Sequence, residues 1–441
     1  MSSMLLAGTF DSESYWRDEK CSKLPAIPDK ERSRIVMAMD ELMAPLCSRN
    51  DTLLTRFPME EAHKNYLASI GFPFAHICSG TSGEHPNLFR VLGEGKDTDD
   101  RLKKFGRMSP YSVVPYVHEV MTKYGYANKL PSLESVKRVN SKMYSARLSE
   151  RLLGTSYSKP VYSAQQLQES AHSLFELHGS VLVKDPFGVS GKGNILLQTG
   201  GSLERFVSYI RKQEAEGANT SLLVEPFFAV ERDFSCQFEI AVDGAYRLVG
   251  LQQMLNKQFA YAGSETMEGA DIQALESAGY FAVMEQVASS LYLDGYFGHV
   301  CVDSMVLWGG TLVPIVEINA RKSMGLINHK LDQTLACDGK KGFFTFRSVG
   351  CRHRFDYGMW LQELKHRGIL YPNHQGEGIL LLSSATLFAG FDEARIPEAA
   401  NGKPVKGRLY MSVVAGDSTG RKRLLDRLQE SFVQLGGMWY G

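Results

Sequence analysis

The chain has 441 residues, with 49 basic against 49 acidic side chains and a formal net charge of zero. That length implies two or three domains, and the charge balance excludes a protein steered onto nucleic acid or an anionic membrane. No apolar run reaches the roughly 20 residues of a membrane span, and the N-terminus lacks the basic and long apolar stretches of a secretory leader.

Cysteines stand at 21, 47, 78, 236, 301, 337 and 351 and form no C-x-x-C pair. An odd count without such a pair argues against a disulfide framework or a zinc site and for a reducing cytoplasm. Cys236 and Cys301 lie in apolar, strand-like runs and read as core.

In chain order, the first ~130 residues mix helical and strand patterns. Residues 60–70 read as a helix ended by Gly71-Phe72-Pro73, residues 80–100 as a polar loop, and residues 115–124 as a helix stopped at Gly125. A boundary is expected near Leu130-Pro131-Ser132. Residues 141–154 form a helix with a Ser cap at its start and Gly at its stop. Helices over 164–177 and 203–216 alternate with short strands over 180–184 and 221–225. Residues 234–242 and 246–254 read as a hairpin around Asp243-Gly244. Residues 252–268 read as a loop, in which Lys257, Tyr261 and Ser264 are candidates to touch a substrate; a simple connection is the plainer alternative. A long helix over 270–291 follows. The last ~90 residues hold strands over 378–382 and 408–416 and a helix over 421–435, whose Arg421, Lys422, Arg423 and Arg427 read as a solvated face. Strands arriving as antiparallel hairpins between helices give an α+β chain.

Two segments carry phosphate chemistry. Lys184 ends a strand and enters Asp185-Pro186-Phe187-Gly188-Val189-Ser190-Gly191-Lys192-Gly193-Asn194. Gly188, Ser190, Gly191 and Gly193 let backbone N–H groups approach an anion. A Walker loop needs Ser or Thr after its Lys, and here Gly193 follows Lys192. A dinucleotide fingerprint needs a small residue where Leu196 stands and should open a helix. What remains is a strand–glycine loop–strand hairpin covering phosphates. Further on, an apolar strand runs into Glu225-Pro226-Phe227-Phe228. Glu225 and the Pro226 carbonyl can accept from a purine amino group, and the Phe228 N–H can donate to the ring. Asp233 or Glu231 could accept ribose hydroxyls.

The third segment is a hairpin, residues 299–307 and 312–321. Alternation puts Glu317, Asn319 and Arg321 on one face and Val316, Ile318 and Ala320 on the other. A three-residue loop at 309–311 would set Asp303 opposite Glu317; a two-residue loop would set it opposite Val316, among apolar side chains. The first register is preferred. Opposed carboxylates repel, so the pairing favours a bound cation. Two carboxylates and an amide oxygen suit magnesium shared with a polyphosphate. A solvated hairpin face is the plainer alternative.

Taken in order, Asn140-Ser141-Lys142, Lys184, residues 188–193, residues 225–228, Asp303 and Glu317-x-Asn319-x-Arg321 resemble the ATP-grasp superfamily, over roughly residues 136–345. Residues 130–154 and 407–416 further resemble its natural-product ligases, which make peptide or amide bonds or load amino acids onto carrier proteins. The resemblance implies an ATP-grasp domain over 136–345, of two α+β subdomains clasping ATP. It also implies an N-terminal α/β domain over 1–135 and a small α/β cap over 346–441. It implies that Lys142 and Lys184 contact the α- and β-phosphates and that Glu225, Pro226 and Phe228 read adenine. Asp303, Glu317 and Asn319 would hold one or two Mg2+ ions, with Arg321 at the γ-phosphate. The family spacing for the ribose acid lands on Arg232, so Asp233 needs one inserted residue and Glu231 is its rival.

The implied reaction activates a carboxylate as an acyl-phosphate and joins it to an amine, releasing ADP and phosphate. Positioning and charge neutralisation by Lys184, Arg321 and the cation do most of that work. The acid is expected to be an amino acid, in a cytoplasmic enzyme that could be a homodimer. His299 is the nearest general-base candidate in sequence, or a structural histidine; Lys322 binds a substrate carboxylate or is merely solvated. Three other readings stay open: loading an amino acid onto a carrier-protein thiol, a biotin-dependent carboxylase subunit, and a nucleotide-binding regulator without turnover. Basic clusters at Lys340-Lys341 and Arg421–Arg423 would suit an acidic carrier.

Overall fold

A computed structural model describes residues 3–25, 29–80, 87–94, 99–188, 193–257, 260–336, 339–391 and 404–440. Three sheets organise these residues. The N-terminal sheet is parallel throughout, in the order Ala75–Cys78, Thr52–Thr55, Met4–Ala7, Arg107–Pro110. Parallel neighbours need crossover connections, and the helices Lys30–Ala38 and Glu61–Ser69 lie in two of them. One expectation fails here. The segment 80–100 contains the helix Leu88–Glu94. The Asn87 side chain accepts from the N–H groups of Phe89 and Arg90, and Leu88 and Phe89 are fully buried. A capping residue before two apolar anchors was enough to start a helix inside a stretch that is polar on average.

The second sheet is antiparallel, in the order Lys159–Val161, Leu222–Pro226, Val181–Lys184, Asn194–Leu197. Two helices, Ala164–His178 and Gly200–Ala215, supply Leu167, Ala171, Leu203, Phe206 and Ile210 to its core. Val181–Lys184 and Asn194–Leu197 are the two arms of the glycine-loop hairpin.

The third sheet has nine strands. Its path is Leu312–Asn319, Gly298–Leu307, Val230–Ile240, Tyr246–Lys257, Ala260–Thr266, Gly342–Cys351, Val405–Val414, Gly378–Leu381, and Gly437–Tyr440 also pairs with Gly342–Cys351. The strands of the C-terminal region therefore prolong the sheet that carries Asp303 and Glu317. Two more expectations fail in it. The described residues within 252–268 form two paired strands, not a loop: Gln252 pairs with Thr266 and Met254 with Ser264. The long helix is two, Ala270–Ser277 and Tyr280–Leu293, because Gly279 takes φ 73° between them. That left-handed conformation ends a helix and suits glycine.

The acid hairpin has the preferred pairing for a different reason. Its loop is residues 308–310, with Leu307 N donating to Thr311 O at 2.9 Å. A bulge between Asp303 and Met305 restores Asp303 opposite Glu317. Residues 314–316 there face the single Ser304. Pro314 has no N–H to give a ladder, and its carbonyl takes the Ser304 hydroxyl at 2.8 Å. The basic row of the helix Ser418–Gln434 is not wholly solvated either. Arg421 pairs with Glu265 at 2.6 Å and lies over the Phe343 ring, and Arg427 donates to the Arg367 carbonyl.

Candidate active site

Antiparallel pairing sets Asp303 beside both Glu317 and Ser235. Directly opposed residues share a face, so the strand Val230–Ile240 adds Asp233 and Ser235 to the acid face. Phe234 and Cys236 turn the other way, into the core with no exposure. Arg232 also turns away, to an ion pair with Asp271 at 2.5 Å. Asp233 is half-buried and accepts from Asn256 Nδ2 at 2.9 Å; burial raises its pKa. Glu231 is exposed at the strand's start.

Asp303 is half-buried, and the desolvation it suffers there, followed by the charge of Glu317, pushes its carboxyl up to about 7. Two facing carboxylates of which one resists ionisation make a place that gains from a cation. Among the described residues no group of three or more His, Cys, Asp or Glu side chains is gathered to hold a metal ion. The donor set fits a hard divalent ion that takes its remaining oxygens from phosphates and water. Asn319 does not offer its oxygen to such an ion here. Its Nδ2 donates to Asp303 Oδ2 at 3.2 Å, and its Oδ1 accepts from Arg321 Nη2 at 3.0 Å. Arginine only donates, so Arg321 fixes the amide with its oxygen towards the guanidinium and its nitrogen towards Asp303.

Lys142 joins the acids to the glycine loop. Ser141 caps the helix Lys142–Leu153 by accepting from Met143 N. The Lys142 ammonium, nearly buried, then reaches Glu317 Oε1 at 2.6 Å and the Gly188 carbonyl at 2.8 Å, while its backbone N–H donates to Pro186 O. Gly188 and Gly193 cross where the hairpin arms close. A Cβ on Gly188 would stand 2.3 Å from Gly193 Cα. Ser190 and Gly191 lie outside the described residues.

Lys184 Nζ meets Glu225 Oε2 at 2.5 Å, on the neighbouring strand, and Ser158 Oγ donates to the other oxygen of Glu225. Pro226 closes that strand opposite Val181. Phe228 meets Tyr157 edge-on, with centroids 4.9 Å apart, and lies 6.0 Å from the His178 ring. An acidic and a basic group thus sit beside an aromatic wall.

Arg321 follows its strand and is held entirely by protein. Nε and Nη2 donate to Glu13 Oε1 at 2.9 and 2.6 Å, Nη1 to Tyr111 Oη and the Lys322 carbonyl, and Nη2 also to Asn319. Lys322 is not solvated. Its ammonium donates to Ser109 Oγ at 2.8 Å and to the Pro110 carbonyl, and burial pulls its pKa down to about 8. His299 lies four residues along the strand from Asp303, roughly 13 Å away. Burial, then the charge of Lys322, lowers its pKa to about 4, so it is neutral at pH 7 but out of reach of the acid pair. Tyr261 and Ser264 bond each other at 2.7 Å; Ser264 stands opposite Met254, itself opposite Asp233, so it shares the face of the acids, though buried with 1% exposure. The side chain of Lys257 lies outside the described residues.

Sequence reasoning missed Glu13, Tyr111, Ser158 and Asn256. Glu13 and Tyr111 come from the N-terminal region, with no motif to mark them. Asn140 was noted only as a neighbour of Lys142. Its amide in fact clamps Ala320, accepting from its N–H at 2.9 Å and donating to its carbonyl at 3.2 Å.

No protein-family model matches the chain. It is similar to the "[Butirosin acyl-carrier protein]--L-glutamate ligase" of Niallia circulans, 21% identical over 309 residues and covering 67% of each chain. Among solved structures it is similar to N5-carboxyaminoimidazole synthetase from Staphylococcus aureus complexed with ADP. The TM-score is 0.51 at 11% identity, over 98% of this chain and 96% of that one. It is also similar to a biotin carboxylase β-γ-ATP complex from Campylobacter jejuni, with a TM-score of 0.54 at 13% identity, over 99% and 92%. The biotin carboxylase domain of Hydrogenobacter thermophilus 2-oxoglutarate carboxylase, crystallised as a dimer with MgADP and bicarbonate, gives 0.55 at 13%, over 100% and 91%. Identities this low speak for the fold.

Proposed function

We propose, from the ATP-grasp fold that this chain has, that it is an ATP- and magnesium-dependent ligase joining a carboxylate to an amine. The observation that carries this reading is Lys142, which ties the Asp303–Glu317 pair to the base of the glycine loop. Acids for a cation and a lysine for phosphates are thereby brought to one cleft.

In this reading Lys142 and Lys184 hold the α- and β-phosphates, and the glycine loop, Gly188 to Gly193 with Ser190 and Gly191, covers them. Glu225, the Pro226 carbonyl and the Phe228 N–H read adenine against the aromatic wall. Asp233, on the acid face and half-buried, takes the ribose; Glu231 is its exposed rival. Asp303 and Glu317 hold magnesium, with Asn319 joining once its oxygen turns from Arg321. The bound cation offsets phosphate charge. Arg321 lies where the transferred phosphoryl group leaves ATP for the substrate carboxylate. The amine then attacks the acyl-phosphate carbonyl, and the amide forms as inorganic phosphate leaves with the amine's proton given up to solvent or phosphate. Water must be kept out while it lives, which a cover over the phosphates achieves.

The acid is an amino acid, in secondary metabolism, supported by the glutamate ligase similar to this chain. That relative's name gives a carrier protein as acceptor, so loading a carrier thiol is the second reading. The decisive experiment measures ADP and phosphate release with MgATP across amino acids, amines and a holo carrier protein, with mass spectrometry of the products. ADP plus a dehydrated adduct supports the ligase. AMP plus pyrophosphate, or turnover that needs bicarbonate, replaces it.

A further inference from the structure

Residues 11–24 leave the N-terminal sheet and touch in turn Arg56, Arg321, the base of the glycine loop and the sheet that carries it. Asp11 meets Arg56 at 3.1 Å and Glu13 meets Arg321 at 2.6 Å. The Trp16 ring lies 6.4 Å from that of Phe187, and Arg17 pairs with buried Asp185 at 2.6 Å, both at the base of the glycine loop. Beyond them the chain clasps the glycine-loop sheet. Asn219 N donates to Lys20 O at 2.8 Å and Ser22 N to Asn219 O at 2.9 Å. Lys23 N donates to Gln213 Oε1 at 2.8 Å, and Gln213 Nε2 donates back to Lys23 O at 3.0 Å. Leu24 is buried in that sheet's core. The segment is a strap, joined by the chain to one body and by packing to another.

Arg321 sits at the other end of this connection. A guanidinium has five N–H donors, and Glu13, Tyr111, the Lys322 carbonyl and Asn319 engage all five. An arriving anion must displace one of these partners. Glu13 takes two of the five bonds and alone among them carries a charge, the same sign as a phosphate.

We propose that the strap is an autoinhibitory clasp. Seated on the glycine-loop sheet, it keeps Glu13 on Arg321. The terminal phosphate of ATP gains Arg321 only as Glu13 is displaced and the strap shifts. This rests on the ligase reading, which puts Arg321 at that phosphate. A carboxylate competing for an occupied cation costs the incoming ligand affinity, and the strap's hold on Gln213 adds to that cost.

The test is a double-mutant cycle on MgATP affinity, measured by calorimetry on the wild type, Glu13→Gln, Gln213→Ala and the pair. Glu13→Gln keeps an oxygen where Oε1 takes both Arg321 bonds but removes the competing charge, and binding should tighten about fivefold or more. Gln213, half-buried on the helix Gly200–Ala215, is outside the proposed nucleotide site. Gln213→Ala should tighten binding in the same direction, and it keeps the test alive should Glu13→Gln not fold. The pair should bind no tighter than Glu13→Gln alone, because both release one clasp. Equal affinity in all four, weaker binding by Glu13→Gln, or additive effects would overturn the clasp. A wild type that binds and turns over MgATP while the variants behave alike loses only the clasp. A wild type that does not bind MgATP removes the ligase reading and the clasp with it.

Discussion

Lys142 and Glu317, 175 residues apart in sequence, meet at 2.6 Å with the lysine nearly buried. Each is capable of holding the other's charge, and a nucleotide with its cation would separate them, the lysine turning to phosphate and the carboxylate to metal. Glu317→Ala therefore removes half of the acid pair and leaves Lys142 bonded to Gly188. ATP turnover should fall by about a thousandfold or more, in the range seen when a group that stabilises developing charge is removed. Circular dichroism should be unchanged. Turnover within threefold of wild type would take Glu317 out of the metal site.

The crossing of Gly188 and Gly193 leaves no room for a side chain. Gly188→Ala places a Cβ 2.3 Å from backbone, which cannot yield as a flexible side chain does. The hairpin arms must part, and Lys142 loses its carbonyl partner at Gly188. KM for ATP should rise about tenfold, a loss of roughly 1.4 kcal/mol of binding, and the melting temperature should fall as the hairpin is strained. An unchanged KM would separate this crossing from the phosphate site.

Glu225 serves two neighbours, Lys184 at 2.5 Å and the Ser158 hydroxyl. In the adenine reading it accepts from a purine amino group, which guanine does not offer at that position. Glu225→Ala should lower ATP-over-GTP preference by about tenfold, the worth of roughly 1.4 kcal/mol of lost discrimination. Comparing kcat/KM for both nucleotides checks it. A preference that survives the substitution would place the hinge elsewhere.

Most of the acid face was legible because its chemistry repeats at the period of its backbone. Glu317, Asn319 and Arg321 alternate, and Asp303 finds Glu317 once a register is chosen. The register itself came from the cost of burying a lone acid, and it survived a misplaced loop because a bulge at Pro314 absorbed the error. Glu13 was invisible for the opposite reason. It is one acid in a short helix, and only the packing of the N-terminal sheet on the acid sheet brings it to Arg321. Residues 252–268 were misread because polar side chains on a strand whose face meets a buried network look like a loop. Gln252 bonds Asn328 at 2.6 Å and Thr266 at 2.9 Å, partners that only the fold supplies.

The join between the N-terminal and C-terminal regions contains two opposed titrations. His63 is fully buried, bonded to Ser384 Oγ and the Leu381 carbonyl, and burial lowers its pKa from 6.5 to about 4. Glu41, equally buried, accepts from the N–H groups of Ser384, Ala385 and Thr386, yet burial raises it from 4.5 to about 7. As pH falls from 6.5 to 4.5, the unfolded chain protonates His63 and the folded one does not, so stability is lost. Over the same interval folded Glu41 keeps a proton that the unfolded chain lacks, so stability is gained. Each slope is about 1.4 kcal/mol per pH unit, and they oppose. The wild type should therefore show little pH dependence from this pair. His63→Gln should unmask the Glu41 slope, with a melting temperature that rises on acidification from pH 6.5 to 5. Glu41→Gln should do the reverse and fall. Thermal unfolding of both variants across that range, each compared with its own value at pH 6.5, decides it. Parallel slopes in the two would mean that His63 and Glu41 do not titrate against each other.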